Sequence, residues 1–152
     1  MMATLDQRCL IRTERETAFN VSQDDALRSH WDPFTRPAQR TADGQIIVTA
    51  WHGMTMRVEY ISWRPPERAA IRMVQGPRMI ELFSGTWIFT QHAPGIVEAR
   101  FRYQIKAARG WRWLEPLMLQ YFSMETKRRL NSLKRYLEAH PAEQDDCLLR
   151  RN

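Results

Sequence analysis

The spacing of apolar residues changes once along this chain, and that change constrains the fold more than any other feature. Before Arg109 and Gly110, large apolar residues alternate with polar ones, most clearly in the stretch "FSGTWIFTQHAPGIVEARFRYQI" at 83–105. Such alternation is typical of strands that bury one face. From 111 to 139, apolar residues recur every three or four positions, which predicts one long amphipathic helix. This helix is the element that can cover the buried face of the sheet.

Turn residues and alternation divide the rest of the chain into shorter elements. The turn signal "HAPG" splits the opening stretch into an antiparallel hairpin of 83–90 and 97–106. The remaining predicted elements are a strand (5–15), one or two short helices (16–32), a loop (33–44), and strands at 45–53, 54–63 and 68–75. The chain is therefore predicted to be an α+β domain over 1–140, followed by a polar tail over 141–152.

Length, charge and cysteine content exclude several classes of protein. A chain of 152 residues is long enough for one domain with one core. Apolar runs are too short to predict a membrane span or a secretory signal, and two distant cysteines suit a reducing cytoplasm. Much of the net charge of +6 lies in "TKRRLNSLKR" at 126–135, which is interpreted as a solvated helix face. No specific nucleic-acid binding is expected.

The order of elements and several short motifs resemble a known superfamily. The motifs are "RSHWDPF" (28–34), "GP" (76–77), "FSGTWIF" (83–89), "FRYQI" (101–105) and "ETKRRLNSLKRYLE" (125–138). Over 5–139 the chain resembles the START/Bet v 1-like (SRPBCC) superfamily, which includes polyketide cyclase/dehydrase-like proteins. The resemblance implies a helix-grip fold, in which a strongly curved antiparallel sheet wraps around a long C-terminal helix. Members bind lipids, polyketides, sterols, quinones or hormones between sheet and helix, and some are enzymes.

The aromatic face of the sheet is both a candidate core and a candidate cavity wall. In this fold the inner sheet face serves both purposes, and large rings beside flexible methionines suit an apolar ligand. The predicted ligand-binding residues are Tyr60, Trp87, Phe89, Phe101, Tyr103, Met118, Tyr121 and Phe122. We expect a hydrophobic small molecule as the partner, and a homodimer is a further expectation.

Two functions from different classes remain open. The first is non-enzymatic binding of a hydrophobic molecule, and the second is a cyclase, aromatase or dehydratase acting in the same cavity. The candidate proton donors are Tyr60, Tyr103 and His52. The strand arginines at 57, 72, 100 and 102 alternate with the inward residues and are therefore predicted to point outward. No obvious buried arginine then remains on the sheet, which favours binding over catalysis. The basic helix also permits an accessory role at a ribosome or chaperone, without arguing for it.

Other polar residues have structural interpretations. Asp32, which precedes Pro33, is interpreted as a turn cap. Glu125 is interpreted as an architectural partner of Arg129, four residues along the same helix. The sequence contains no metal-ligand spacing and no phosphate-binding loop, so neither a metal nor a cofactor is expected.

Overall fold

The computed structural model describes residues 3–32, 39–49 and 53–139. Strands and helices follow one another in the predicted order. The strands are β1 (Ala3–Ile11), β2 (Gln39–Arg40), β3 (Ile46–Thr49), β4 (Thr55–Arg64), β5 (Arg68–Gln75), β6 (Ile80–Ala93) and β7 (Ile96–Ala107). The helices are α1 (Arg15–Gln23), α2 (Asp25–Trp31) and α3 (Glu115–Ala139), the last preceded by a 3-10 turn (Arg112–Leu114).

The seven strands of the described residues form one antiparallel sheet in the order β1-β7-β6-β5-β4-β3-β2. Strands β6 and β7 form a long hairpin within it, and Trp87 pairs with Phe101 across it. This register places the inward side chains of both strands on one face, because side chains alternate along each strand. The predicted hairpin is confirmed.

Helix α3 lies on the inner face of the sheet. The Phe122 ring lies 5.4 Å from the Tyr103 ring and 5.6 Å from the Phe83 ring. Further along, Nε2 of Gln7 on β1 donates to the backbone oxygen of Ser123 at 2.9 Å. The curved antiparallel sheet around a long C-terminal helix confirms the predicted helix-grip fold.

Helices α1 and α2 cover one end of this sheet–helix layer. Asp24 caps α2 by accepting a hydrogen bond from the backbone nitrogen of Ala26 at 2.9 Å, as an N-cap residue does. Phe19 of α1 is completely buried, and its ring lies 6.1 Å from that of Phe89. The interior between Phe19 and Phe89 is therefore closely packed.

Several boundaries differ from the sequence prediction, and three of the differences change the pattern of elements. The predicted loop at 33–44 contains β2, because the Asp43-Gly44 turn, with Gly44 at φ +83°, folds Gln39 and Arg40 back onto β3. Strand β1 ends at Ile11 rather than at 15, since α1 begins at Arg15. Helix α3 begins at Glu115 rather than at 111, after the 3-10 turn. The predicted tail at 141–152 lies outside the described residues.

Within the described ranges, every helix is too short or too polar to cross a membrane.

Candidate functional site: a cavity between the sheet and the long helix

A cavity of about 340 Å³ lies between the inner sheet face and α3. Its size is within the usual range for small-molecule sites. Its apolar walls come from β3 to β7 and from the first half of α3, and its polar residues come mainly from α1, α2 and the middle of α3. The residues used below are Gln23, Asp25, Arg28, Met54, Met56, Tyr60, Met79, Phe83, Gly85, Trp87, Phe101, Tyr103, Leu114, Leu117, Met118, Tyr121, Phe122, Glu125 and Arg129.

Most of the predicted ligand-binding residues line this cavity. They are Tyr60, Trp87, Phe101, Tyr103, Met118, Tyr121 and Phe122. Phe89 has the same inward parity but is absent from the lining, because α1 covers it and it packs on Phe19. Of the candidate proton donors, Tyr60 and Tyr103 lie in the wall, whereas His52 lies outside the described residues.

The aromatic wall is built by successive ring contacts across β6 and β7. The Phe101 ring lies 4.4 Å from that of Trp87 and 4.5 Å from that of Tyr103, both edge-on. Gly85 pairs with Tyr103, and a Cβ at this position would lie 3.3 Å from the Tyr103 ring and 3.4 Å from the Phe101 ring. The missing side chain of Gly85 therefore leaves room for both rings.

Flexible methionine side chains and a leucine line other parts of the cavity wall. Met54, Met56, Met79 and Met118 line it. Leu117 lines it as well, although it is 58% exposed, and Met54 is 38% exposed. The cavity therefore reaches the surface between the starts of β4 and α3.

A buried polar cluster lies at the end of the cavity away from Met54 and Leu117. Its members are Asp32, Tyr103, Glu125 and Arg129. Arg129 donates from Nε and Nη2 to Oδ2 of Asp32, at 3.1 and 2.9 Å. Its Nη1 donates to the Tyr103 hydroxyl at 2.7 Å and lies 3.7 Å from a carboxylate oxygen of Glu125. The four residues are all less than 9% exposed, so this cluster joins α2, β7 and α3 in a nearly dry environment.

The cluster shifts the pKa values of its members. Burial raises the pKa of the Tyr103 hydroxyl, although Arg129 opposes the shift. Burial also raises the pKa of the Glu125 carboxyl, against the attraction of Arg129. Burial opposes the charge on Arg129, yet Asp32, Tyr103 and Glu125 together outweigh it and raise the pKa of the guanidinium. Tyr103 therefore stays protonated and Arg129 stays charged at neutral pH.

A second arginine, Arg28 of α2, lines the same end of the cavity. Its Nη2 donates to the backbone oxygen of Ser22 at 3.0 Å, and its Cζ lies 6.0 Å from the Trp31 ring centre. Burial lowers the pKa of Arg28, and the nearby charge of Arg129 adds to that effect. Tyr60, whose pKa is raised by burial, lies close enough to interact with it.

The sequence interpretation of the arginines was correct for the sheet and incomplete for the helices. Arg72 and Arg100 lie on the outer face, paired with Glu59 and Asp6. Arg28 and Arg129 nevertheless place two guanidinium groups in the cavity wall. Both sit on helices, where strand parity gives no information about direction.

One further interpretation needs correction. Asp32 does end α2, as its backbone nitrogen donates to Arg28 O at 2.8 Å, but its side chain is the buried ion-pair partner of Arg129. Glu125 does pair with Arg129 at the i,i+4 spacing, and both residues are buried. That spacing beside Tyr121 and Phe122 indicated the part of the cluster on α3, but not its partners on α2 and β7.

The arrangement offers hydrogen-bond donors to a bound molecule, set in an apolar wall. Arg129 and Tyr103 can together stabilise negative charge on a ligand oxygen, because both are fixed by packing and shielded from water. Among the described residues, no three His, Cys, Asp or Glu side chains are grouped to hold a metal ion.

Comparison with known proteins agrees with this geometry. The family model described as polyketide cyclase / dehydrase and lipid transport matches residues 2–138. No curated protein matches the sequence significantly.

Several solved structures share the fold at low sequence identity. The Zhui aromatase/cyclase from Streptomyces sp. R1128 aligns with a TM-score of 0.77 and 11% identity, over 92% of this chain and 96% of that one. A START superfamily protein from Mycobacterium smegmatis aligns with a TM-score of 0.62 and 11% identity, over 86% and 98%. The di-domain aromatase/cyclase BexL of the BE-7585A biosynthetic pathway aligns with a TM-score of 0.74 and 14% identity, over 91% of this chain. This chain spans 47% of BexL, about half of that protein.

Proposed function

Since the chain belongs to the polyketide cyclase / dehydrase and lipid transport family, we propose that it binds a hydrophobic small molecule in the cavity between the sheet and α3. The ligand is an elongated or ring-shaped molecule such as a lipid, a quinone or a polyketide-like compound. It contacts the aromatic wall of Trp87, Phe101 and Tyr103 on one side, and Met118 and Phe122 on the other.

One observation supports this proposal above the others. Trp87, Phe101 and Tyr103, at the centre of the inner face, border a cavity of about 340 Å³ between the sheet and α3. Apolar walls with a few placed polar groups are typical of ligand sites. The surface-exposed Leu117 beside the cavity supplies a path of entry.

Native mass spectrometry of the protein purified from its own host tests the proposal. A mass increment that disappears on denaturation, and that organic extraction identifies as one apolar compound, is the expected result. Binding of the uncharged dye Nile red, displaced by that compound, would place it at the same site. Protein that carries nothing and does not bind Nile red would contradict the proposal.

A second candidate function is a cyclase, aromatase or dehydratase reaction in the same cavity. The hydrogen bond of 2.7 Å from Arg129 to the Tyr103 hydroxyl favours it, because this pair lies in the wall and can hold an enolate oxygen as it forms. Tyr60 is the further proton donor in this scheme. Incubation with a poly-keto thioester, followed by product analysis, tests the reaction. Turnover that Tyr103→Phe abolishes while Nile red still binds would establish catalysis over simple binding.

Three further expectations from the sequence accompany the proposal. We propose a cytoplasmic location, no specific nucleic-acid binding, and a homodimer. Light scattering after size exclusion tests the dimer, and a gel-shift titration at physiological salt tests the nucleic acid, because weak electrostatic binding weakens with salt.

A further inference from the structure

Arg28 is half-buried in the cavity wall and has few partners there. Among the described residues, no carboxylate forms an ion pair with its guanidinium, and its Nε is enclosed without a hydrogen-bond acceptor. Within the same residues, its one hydrogen bond is to the backbone oxygen of Ser22. Arg129, by contrast, has Asp32, Glu125 and Tyr103 as partners.

The acidic groups near Arg28 are already engaged. Asp32 forms the ion pair with Arg129, at 2.9 Å. Asp25, which also lines the cavity, pairs with Arg40 at 3.0 Å. Glu125 lies 3.7 Å from Arg129. Arg28 therefore faces the repulsion of Arg129 and the individually weaker attraction of Asp32 and Asp25, whose carboxylates are paired with other cations.

An arginine in this setting is costly to the protein. Its guanidinium stays charged under all physiological conditions. A buried charge without an opposite charge or a full set of hydrogen bonds opposes folding. Burial and the repulsion from Arg129 lower the pKa of Arg28 against the attraction of Asp32 and Asp25, so the site is unfavourable for a cation on balance. A bound anion would relieve both effects.

Polarity is unevenly distributed along the cavity. Gln23, Arg28 and Tyr60 lie at the α1–α2 end, whereas Leu114 and Leu117 lie at the start of α3. From Leu117 to Arg129 the helix axis extends about 18 Å at 1.5 Å per residue. A molecule with a polar head and an apolar body would match this gradient in only one direction.

We propose that Arg28 binds the anionic head of an amphiphilic ligand, whose apolar body lies along the aromatic wall towards Leu117. The head is a carboxylate or a phosphate monoester, because a guanidinium binds the oxygens of either anion in a charge-assisted pair. This inference rests on the proposed function and specifies the class of ligand.

Displacement of Nile red by three molecules that share one tail tests the inference. They are dodecanoate, monododecyl phosphate and dodecanol. The wild type is expected to bind both anions at least about ten-fold more tightly than the alcohol, since hydrogen bonds to charged groups are worth about ten- to hundred-fold in affinity. The preferred anion distinguishes a fatty acid from a phosphorylated lipid.

Arg28→Gln should abolish this preference and leave dodecanol affinity nearly unchanged. Arg57→Gln is the matched control, because Arg57 is exposed on the outer face of β4 and lies away from the cavity. Circular dichroism and the urea midpoint confirm that each variant is folded. If Arg28→Gln does not fold, Arg28→Met, which keeps an apolar stem without the charge, replaces it and is also expected to abolish the preference for the anions.

The possible failures are distinguishable. If neither Nile red nor any of the three molecules binds the wild type, both the proposed function and this inference are wrong. If the three molecules bind the wild type equally, the cavity is a ligand site but Arg28 does not bind an anionic head group, and the inference is overturned. If the anion preference survives Arg28→Gln, or Arg28→Met where that variant replaces it, the anion is held elsewhere and the inference is overturned.

Discussion

Phe89 and Trp87 are neighbours on the inner face of β6, yet they lie in different kinds of interior. Phe89 is 1% exposed and packs against Phe19 of α1, at what we call the filled end. Trp87 stacks on Phe89 at 5.8 Å, and its other surroundings include the cavity. Both side chains have the same parity and similar burial. The difference shows that strand alternation selects the face, while the elements above that face decide whether it is filled.

The filled end and the cavity end also differ in their chemistry. The filled end contains completely buried residues from several elements: Ile11, Phe19, Val97, Leu133 and Leu137. The cavity end combines aromatic rings, methionines and the polar cluster. Branched aliphatic residues define a rigid core, whereas Met side chains adapt to irregular contacts. The two ends should therefore respond differently to mutation.

The largest expected difference is between Phe89→Ala and Phe101→Ala, which make the same change at the two ends. Phe89→Ala should reduce the free energy of unfolding by about 4 kcal/mol, because it leaves a hole in close packing. Phe101→Ala should cost clearly less, since its ring borders open space and loses fewer contacts. Urea denaturation measures both. Only Phe101→Ala should alter Nile red affinity, and equal losses without dye binding to the wild type would show that both ends are simple core.

Removing the cation from the polar cluster should cost about 3 kcal/mol of unfolding free energy. Arg129→Met leaves the buried Asp32 carboxylate without its partner. The double variant Arg129→Met, Asp32→Asn should recover much of that loss, because the carboxylate charge that Arg129 neutralised at position 32 is also removed. Additive losses in this double-mutant cycle would contradict the coupling. Phe89→Ala, at the filled end, should give the same loss in either background.

A pH-dependent effect is expected from Glu125→Gln. Burial raises the folded pKa of Glu125 above its ordinary value of 4.5, so the folded state holds this proton more tightly than the unfolded state. The wild type therefore loses stability relative to the variant as pH rises from 4.5, the pKa of the unfolded state, through the higher pKa of the folded state. Below the ordinary value both states are protonated, and the two proteins should be equally affected by pH. Denaturation midpoints of both proteins from pH 4 to 8 measure this difference in stability. If the wild type instead gains stability relative to the variant as pH rises, attraction to Arg129 outweighs burial.

The smallest effect is expected on the outer face of the sheet. Arg72→Gln should change the unfolding free energy by less than about 0.5 kcal/mol, because exposed ion pairs contribute little. Its partner is Glu59, and its side chain is 61% exposed. Nile red affinity should be unchanged. A loss of dye binding would mean that Arg72 affects the cavity from the outer face of the sheet.

Residue alternation was sufficient to predict the hairpin and the side of the sheet that α3 covers. The alternation of Phe101, Tyr103 and Ile105 leaves a single inward face, and a one-residue slip would expose all of them. The helix was equally clear, because its apolar period extends over many turns. Parity also placed Arg72 and Arg100 correctly on the outer face.

The polar cluster could not be predicted in the same way. Asp32 and Arg129 are 97 residues apart, and nothing local indicates that α2 and α3 bring them within 3 Å. Arg28 was missed for the same reason, because the direction of a side chain on a seven-residue helix depends on how that helix docks. Phe89 was assigned to the cavity since parity does not reveal which residues α1 covers.

The ion pair between Asp32 and Arg129 has a consequence for hydrogen exchange in α2. Helix α2 has seven residues, too few to be stable as an isolated helix. Its C-terminal end is held by this buried pair and by the packing of Trp31 on Trp87, so its amide hydrogens exchange with water by a local route only when such contacts separate. Exchange rates at this helix therefore report how often the contacts at this end of the cavity are broken.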